Sequence, residues 1–198
     1  MSSGLRIRDL CQQVIKGRRR FSDTVSAAPC HVDTRFAPIT FDRQNALVYP
    51  DVVSTEECEC IMEDVENVLR RKRYEKGHWD AVITNYREAE LNSTRISKES
   101  HEVFLRIRNF IQKTYFGNRS IEWLPCHGID LKKNGVLSAH VDSVKFSGEV
   151  VAGLSLNSSS IMRLKMSTNI AKKRTGHIDL YLPPLSLYGK EVRPIDLM

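Results

Sequence analysis

Two stretches of the chain carry apolar residues at helical spacing. In the first, Ser54 and Glu57 form a Ser-x-x-Glu capping-box signature, and Cys58, Ile61, Met62, Val65 and Val68 follow on one face. The cations from Arg70 to Arg73 come next, where they suit the negative end of a helix dipole. In the second, "SKESHEVFLRIRNFIQKTYFG" from Ser97 to Gly117, the face is Val103, Phe104, Ile107 and Ile111, and Gly117 stops the run.

The texture changes from Ile121 onward. "IEWLPCHGIDLKK", "VLSAHVDSVKF", "EVVAGLSL", "SIMRLKM", "HIDLYL" and "LSLY" are short, rich in β-branched or aromatic residues, and separated by Gly, Asn, Ser or Pro. Such punctuation predicts an antiparallel sandwich or barrel. Two helices therefore precede a β-rich half, an α+β arrangement with the helices packed on the sheets. No apolar run approaches the ~20 residues that span a bilayer, and a chain of 198 residues is most simply one domain.

Charge changes this picture only at one end. The formal charge is +6, and Arg6, Arg8, Lys16, Arg18, Arg19 and Arg20 against Asp9 and Asp23 carry a net +4 of it. The remainder is close to neutral and has little electrostatic reason to hold polyanions non-specifically. With Leu5, Leu10, Val14 and Ile15 among its cations, the leader has the make-up of a basic amphipathic helix, the physical form of a mitochondrial presequence, and "RRRFS" is similar to a presequence cleavage site. The expected division is a presequence over 1–28, a linker over 29–43, the main domain over 44–188 and a divergent tail over 189–198. The five cysteines form no Cys-x-x-Cys pair, which fits free thiols in a reducing compartment such as the matrix.

Candidate chemistry lies in three His-x-Asp pairs: His31 with Asp33, His140 with Asp142, and His177 with Asp179. The first falls in a segment without sustained periodicity and reads as a solvated loop. The third follows Lys172, Lys173 and Arg174, which disfavour a cation, and reads as an exposed strand end. His140 and Asp142 stand between a glycine turn at Gly135 and the apolar "VVAGLSL". Two apart on an extended chain, they share one face and can approach one cation. With a second, distant imidazole they would make the facial triad of a non-haem Fe(II) oxygenase. Of the other histidines, His101 reads as a helix-surface residue and His127 as a hydrogen-bonded sheet residue, while His78, Trp79 and Asp80 read as packing elements of an early sheet.

The stretch "GVLSAHVDSVKFSGEVVAGLSLNSSSIMRLKM" resembles the core of the AlkB-like Fe(II)/2-oxoglutarate dioxygenases, and is most similar to the mitochondrial AlkB homologue 7 branch. "RRKRYEKGHWDAVITNYREAE" from Arg70 to Glu90 and "PPLSLY" from Pro183 to Tyr188 carry the same resemblance, which covers roughly 45–188. It implies a double-stranded β-helix, or jelly roll, with His140 and Asp142 as two iron ligands and Tyr188 contacting 2-oxoglutarate. The implied co-substrates are 2-oxoglutarate and O2, and the implied reaction is oxidative demethylation or hydroxylation of a protein or mitochondrial RNA. The branch is associated with regulated necrosis and fatty-acid metabolism.

The chain departs from the family after Tyr188, where it continues as "GKEVRPIDLM". The family pattern would put its third iron ligand, a histidine, just past Met198. No histidine follows His177, and Arg193 stands as the one arginine after Arg174. His177 aligns with a strand residue rather than a ligand. The expectation is a jelly roll without its closing strands, with an incomplete metal site, lower stability and impaired turnover. Two further readings are an interaction module that keeps the scaffold without catalysis, and a small basic RNA-binding protein.

Overall fold

The computed structural model describes residues 25–38, 41–78, 82–142, 144–165 and 176–192. The expected presequence, Trp79, Asp80, Lys172, Lys173, Arg174 and Arg193 lie largely or wholly outside the described residues.

Both expected helices form, for the local reasons the sequence suggests. Helix α1 spans Thr55–Leu69. Its capping box is closed in both directions: the Glu57 amide donates to Ser54 Oγ at 3.2 Å and the Ser54 amide donates to the Glu57 carboxylate at 3.0 Å. Helix α2 spans Lys98–Ile111 and starts on Ser97, whose Oγ accepts from the Ser100 amide at 3.2 Å. Asp64 of α1 accepts both the Ser97 amide, at 2.9 Å, and the Ser97 hydroxyl, at 2.6 Å, so one helix braces the start of the other. A wider turn over Gln112–Phe116 follows α2, and Gly117 at φ 59° ends it in the left-handed region that glycine adopts cheaply.

Among the described residues, eight strands accompany these helices. They are β1 (Val32–Asp33), β2 (Ala46–Tyr49), β3 (Ile83–Glu90), β4 (His127–Leu137), β5 (Val150–Ser155), β6 (Ser160–Lys165), β7 (His177–Leu182) and β8 (Ser186–Glu191). A short helix α3 over Val144–Ser147 separates β4 from β5. Two three-stranded antiparallel sheets are ordered β1-β7-β6 and β2-β8-β5, and β3 pairs with β4 as an antiparallel ribbon. The α+β class with antiparallel sheets therefore holds. The order of elements differs from expectation: β1, β2 and β3 precede or interrupt the helices. These early strands are too short, or too polar in pattern, to stand out by alternation, and it is pairing with distant partners that makes them strands.

Alternation along β8 builds the layers. Leu187 joins the cluster of Tyr49, Cys58, Ile61, Val103, Ile107 and Ile111, so that face of its sheet is covered by the two helices. Tyr188 packs against the opposite cluster, where Val48 meets Leu164, Ile178, Leu180 and Leu182 of the other sheet. The result is helices, central sheet, outer sheet, with two apolar interlayers. The segment expected to be a linker supplies β1, which pairs with β7 through Val32 and Leu180.

Arg87 ties the ribbon to the helix layer. Arg87 of β3 donates to Asp130 directly opposite on β4 at 2.8 Å, to Glu66 of α1 at 2.7 Å, and to the Leu69 carbonyl at the end of α1 at 3.3 Å. On β4, Ile129, Leu131, Val136 and Leu137 are all exposed. Among the described residues, no helix is long and apolar enough to cross a membrane.

Candidate functional site

His140 and Asp142 do not lie on a strand, contrary to expectation. Strand β4 ends at Leu137, and both residues fall in the connection to α3. The Ser138 amide makes a last bond to the Val82 carbonyl at 2.7 Å, after which the chain leaves the ribbon. Proximity survives the change of backbone: His140 Nε2 lies 3.3 Å from Asp142 Oδ1. His140 Nδ1 is 2.9 Å from the Ser138 carbonyl. A proton on Nδ1 satisfies that carbonyl and turns the Nε2 lone pair toward Asp142, the usual second contact of a metal-binding imidazole.

Tyr188 comes to the same place from the central strand of its sheet. Gly153 of β5 and Val48 of β2 lie directly opposite it, on either side. A Cβ on Gly153 would fall 2.4 Å from Tyr188 Cε1 and 2.8 Å from its Oη, so the ring lies flat across a glycine that makes room for it. Burial, and then the nearby Asp142 charge, push the Tyr188 phenol up to about 12, which keeps it a neutral donor. His140, Asp142 and Tyr188 are thus brought together.

A fourth residue joins them that carries no motif of its own. The Lys190 ammonium forms an ion pair with Asp142 Oδ2. Lys190 is two positions beyond Tyr188 on β8 and so presents to the same face. Residues 189–191, expected to open a divergent tail, continue this strand. The Lys190 side chain is 12% exposed and that of Asp142 16%, against 34% for His140. The only sequence signal for Lys190 is its two-residue spacing from a candidate tyrosine.

The other two His-x-Asp pairs are also answered by cations. Asp33 accepts from Arg35 Nε at 3.0 Å and Nη2 at 2.6 Å, and Asp179 from Arg163 Nε at 2.8 Å and Nη2 at 2.7 Å. His31 stacks on Tyr181 and His177 on Phe36, with ring centres 5.6 and 5.1 Å apart. The solvated-loop expectation for His31 and Asp33 gives way to a tight turn that ends at His31 and a strand that holds Asp33, because Val32 between them is buried in the apolar cluster of the outer sheet.

A facial triad needs three protein donors with free lone pairs. Here Asp142 Oδ2 is already held by a lysine, which leaves His140 Nε2 and Asp142 Oδ1 as the donors. Among the described residues, no group of three or more His, Cys, Asp or Glu side chains is arranged to hold a metal. The residues as placed do not fit an iron centre. Beside Asp142 runs a cavity of about 890 Å³ whose lining includes Asp142 itself with Ile107, Arg108, Trp123, Gly153 and Leu187.

No family model matches the chain. The chain is 40% identical over 144 residues to the protein named alpha-ketoglutarate-dependent dioxygenase alkB homolog 7, mitochondrial, of Bos taurus, a match covering 72% of this chain and 60% of the relative. To the protein of the same name in Mus musculus it is 38% identical over 146 residues, covering 74% of this chain and 62% of the relative. The chain thus spans about three-fifths of the length of the curated relatives it matches. These two matches support an AlkB homolog 7-type assignment for the chain, within the AlkB-like proteins.

Proposed function

We propose that the chain is built on the scaffold of an Fe(II)/2-oxoglutarate dioxygenase of AlkB type, and that its turnover is impaired in this form. The observation that carries the reading is the convergence of His140, Asp142 and Tyr188, from a loop and a central strand, with Asp142 also lining a large cavity. The relatives' name, a dioxygenase dependent on alpha-ketoglutarate, supports the reaction class. The two face-to-face antiparallel sheets support a jelly roll as the architecture. In this reading Tyr188 donates its phenol to the co-substrate 2-oxoglutarate, O2 is the oxidant, and an RNA base or a protein side chain is demethylated or hydroxylated in the matrix. Impairment follows from a two-donor site whose carboxylate already holds a lysine.

The reading is tested by oxygen-dependent conversion of 2-oxoglutarate to succinate by the full chain with added Fe(II), beside the bovine relative. The expected rate is at least about 10–100-fold below the relative's, since disturbing even the outer contacts of a metal site costs that much. The residual rate is expected to vanish in His140→Ala. A rate equal to the relative's overturns the impairment, and a rate indifferent to His140→Ala overturns the site. The Lys190–Asp142 pair also supports a second reading, a scaffold that binds partners without catalysis; failure to bind Fe(II) or turn over would favour it.

A further inference from the structure

We infer that the Lys190 ammonium is the resident cation of the His140–Asp142 pair, and that a divalent metal can bind there only by displacing it. The inference rests on the site reading above and says what regulates access to it. Lys190 cannot leave by a backbone shift. It sits on the central strand of its sheet, paired with Ala46 of β2 on one side and Val151 of β5 on the other. Displacement therefore falls to the side chain, whose four-carbon stem has the rotational freedom for it.

Its ammonium is not drawn out into water, because the side chain is only 12% exposed. An ammonium at that depth needs a carboxylate, and Asp142, itself 16% exposed, supplies it. His140 Nε2 lies 3.3 Å from the other oxygen. Asp142 is thus neutralised and held without a metal. A divalent ion arriving at the same carboxylate meets a positive charge within contact distance. It gains Asp142 only in the fraction of molecules whose lysine has swung away, and its apparent affinity is lowered by that fraction.

The probe is Co(II), which is stable in air and visible by its absorption, titrated into the full chain and into Lys190→Met. The methionine keeps most of the stem and removes the charge. The expected result is single-site Co(II) binding at least about tenfold tighter in Lys190→Met, lost when His140→Ala is added. Equal affinity in the two chains, with binding still lost in His140→Ala, overturns the inference and leaves the site reading standing. No Co(II) bound by either chain overturns both.

A second measurement needs no variant. Lysine acetylation of the native chain, mapped by peptide mass, is expected to find Lys190 slow to react alone and faster at saturating Co(II). Unchanged Lys190 reactivity with Co(II) bound overturns the inference.

Discussion

Asp33 of β1 stands directly opposite Asp179 of β7, and each of the two carboxylates is clamped by its own arginine. Like charges directly across a strand pair repel. Arg35 and Arg163 convert that repulsion into two neutral pairs. The Arg35 side chain and amide together hold the Asp33 carboxyl down to about 2, and Arg163 lowers that of Asp179.

Removing one clamp should expose the repulsion. Arg163→Gln is expected to lower the melting temperature at low salt, and adding Asp179→Asn is expected to recover most of the loss. Both effects should shrink in 1 M salt, where screening acts within about 3 Å. Differential scanning at two ionic strengths checks this, and an unchanged melting temperature for Arg163→Gln would dismiss the clamp.

The helix layer has a comparable joint. Arg106 of α2 donates Nη1 to Glu57 Oε1 at 2.6 Å and Nη2 to Glu57 Oε2 at 2.8 Å, with a further bond to the Val52 carbonyl at 3.3 Å. Glu57 also closes the capping box of α1, so one carboxylate serves two joints. Arg106→Met is expected to cost about 1.5–3 kcal/mol, the range for hydrogen bonds to a charged group, read as a lower urea midpoint.

Acid should dissolve the same joint. Partial burial pushes the Glu57 carboxyl up, but the Arg106 guanidinium and the Ser54 amide outweigh it and hold it below its ordinary 4.5. Because the folded value is the lower one, the stabilisation is present above pH 4.5 and lost as pH falls through the folded value. Glu57→Gln should flatten the acid limb of the stability curve in that window. An unchanged acid limb would refute the linkage.

Gly153 makes the most local prediction. Alanine there puts a methyl 2.4 Å from the Tyr188 ring, which has Val48 and the outer sheet's core around it. Gly153→Ala is expected to cost about 1–3 kcal/mol, as for an overpacked core, and Tyr188→Leu in the same chain should return part of it. Urea unfolding of the three variants measures this; a neutral Gly153→Ala would mean that the ring has room to move.

The sequence by itself determined the two helices, their caps and their buried faces. Those signals are local: Ser54 meets Glu57 three positions on, and Cys58, Ile61, Val103, Ile107 and Ile111 recur within a turn or two. It also determined that His140 and Asp142 are neighbours, since two positions cannot separate far, whereas Tyr188 is implied as a 2-oxoglutarate contact only by the resemblance of "PPLSLY" to the family. Tertiary structure alone decided that His140 and Asp142 sit on a loop, that the early segment around Val32 becomes a strand, and that Asp33 faces Asp179. It alone decided, too, which cation answers each aspartate: Arg35, Arg163 and Lys190. Alternation tells which face of β8 Lys190 occupies, but what lies against that face depends on how a distant loop folds back onto the sheet.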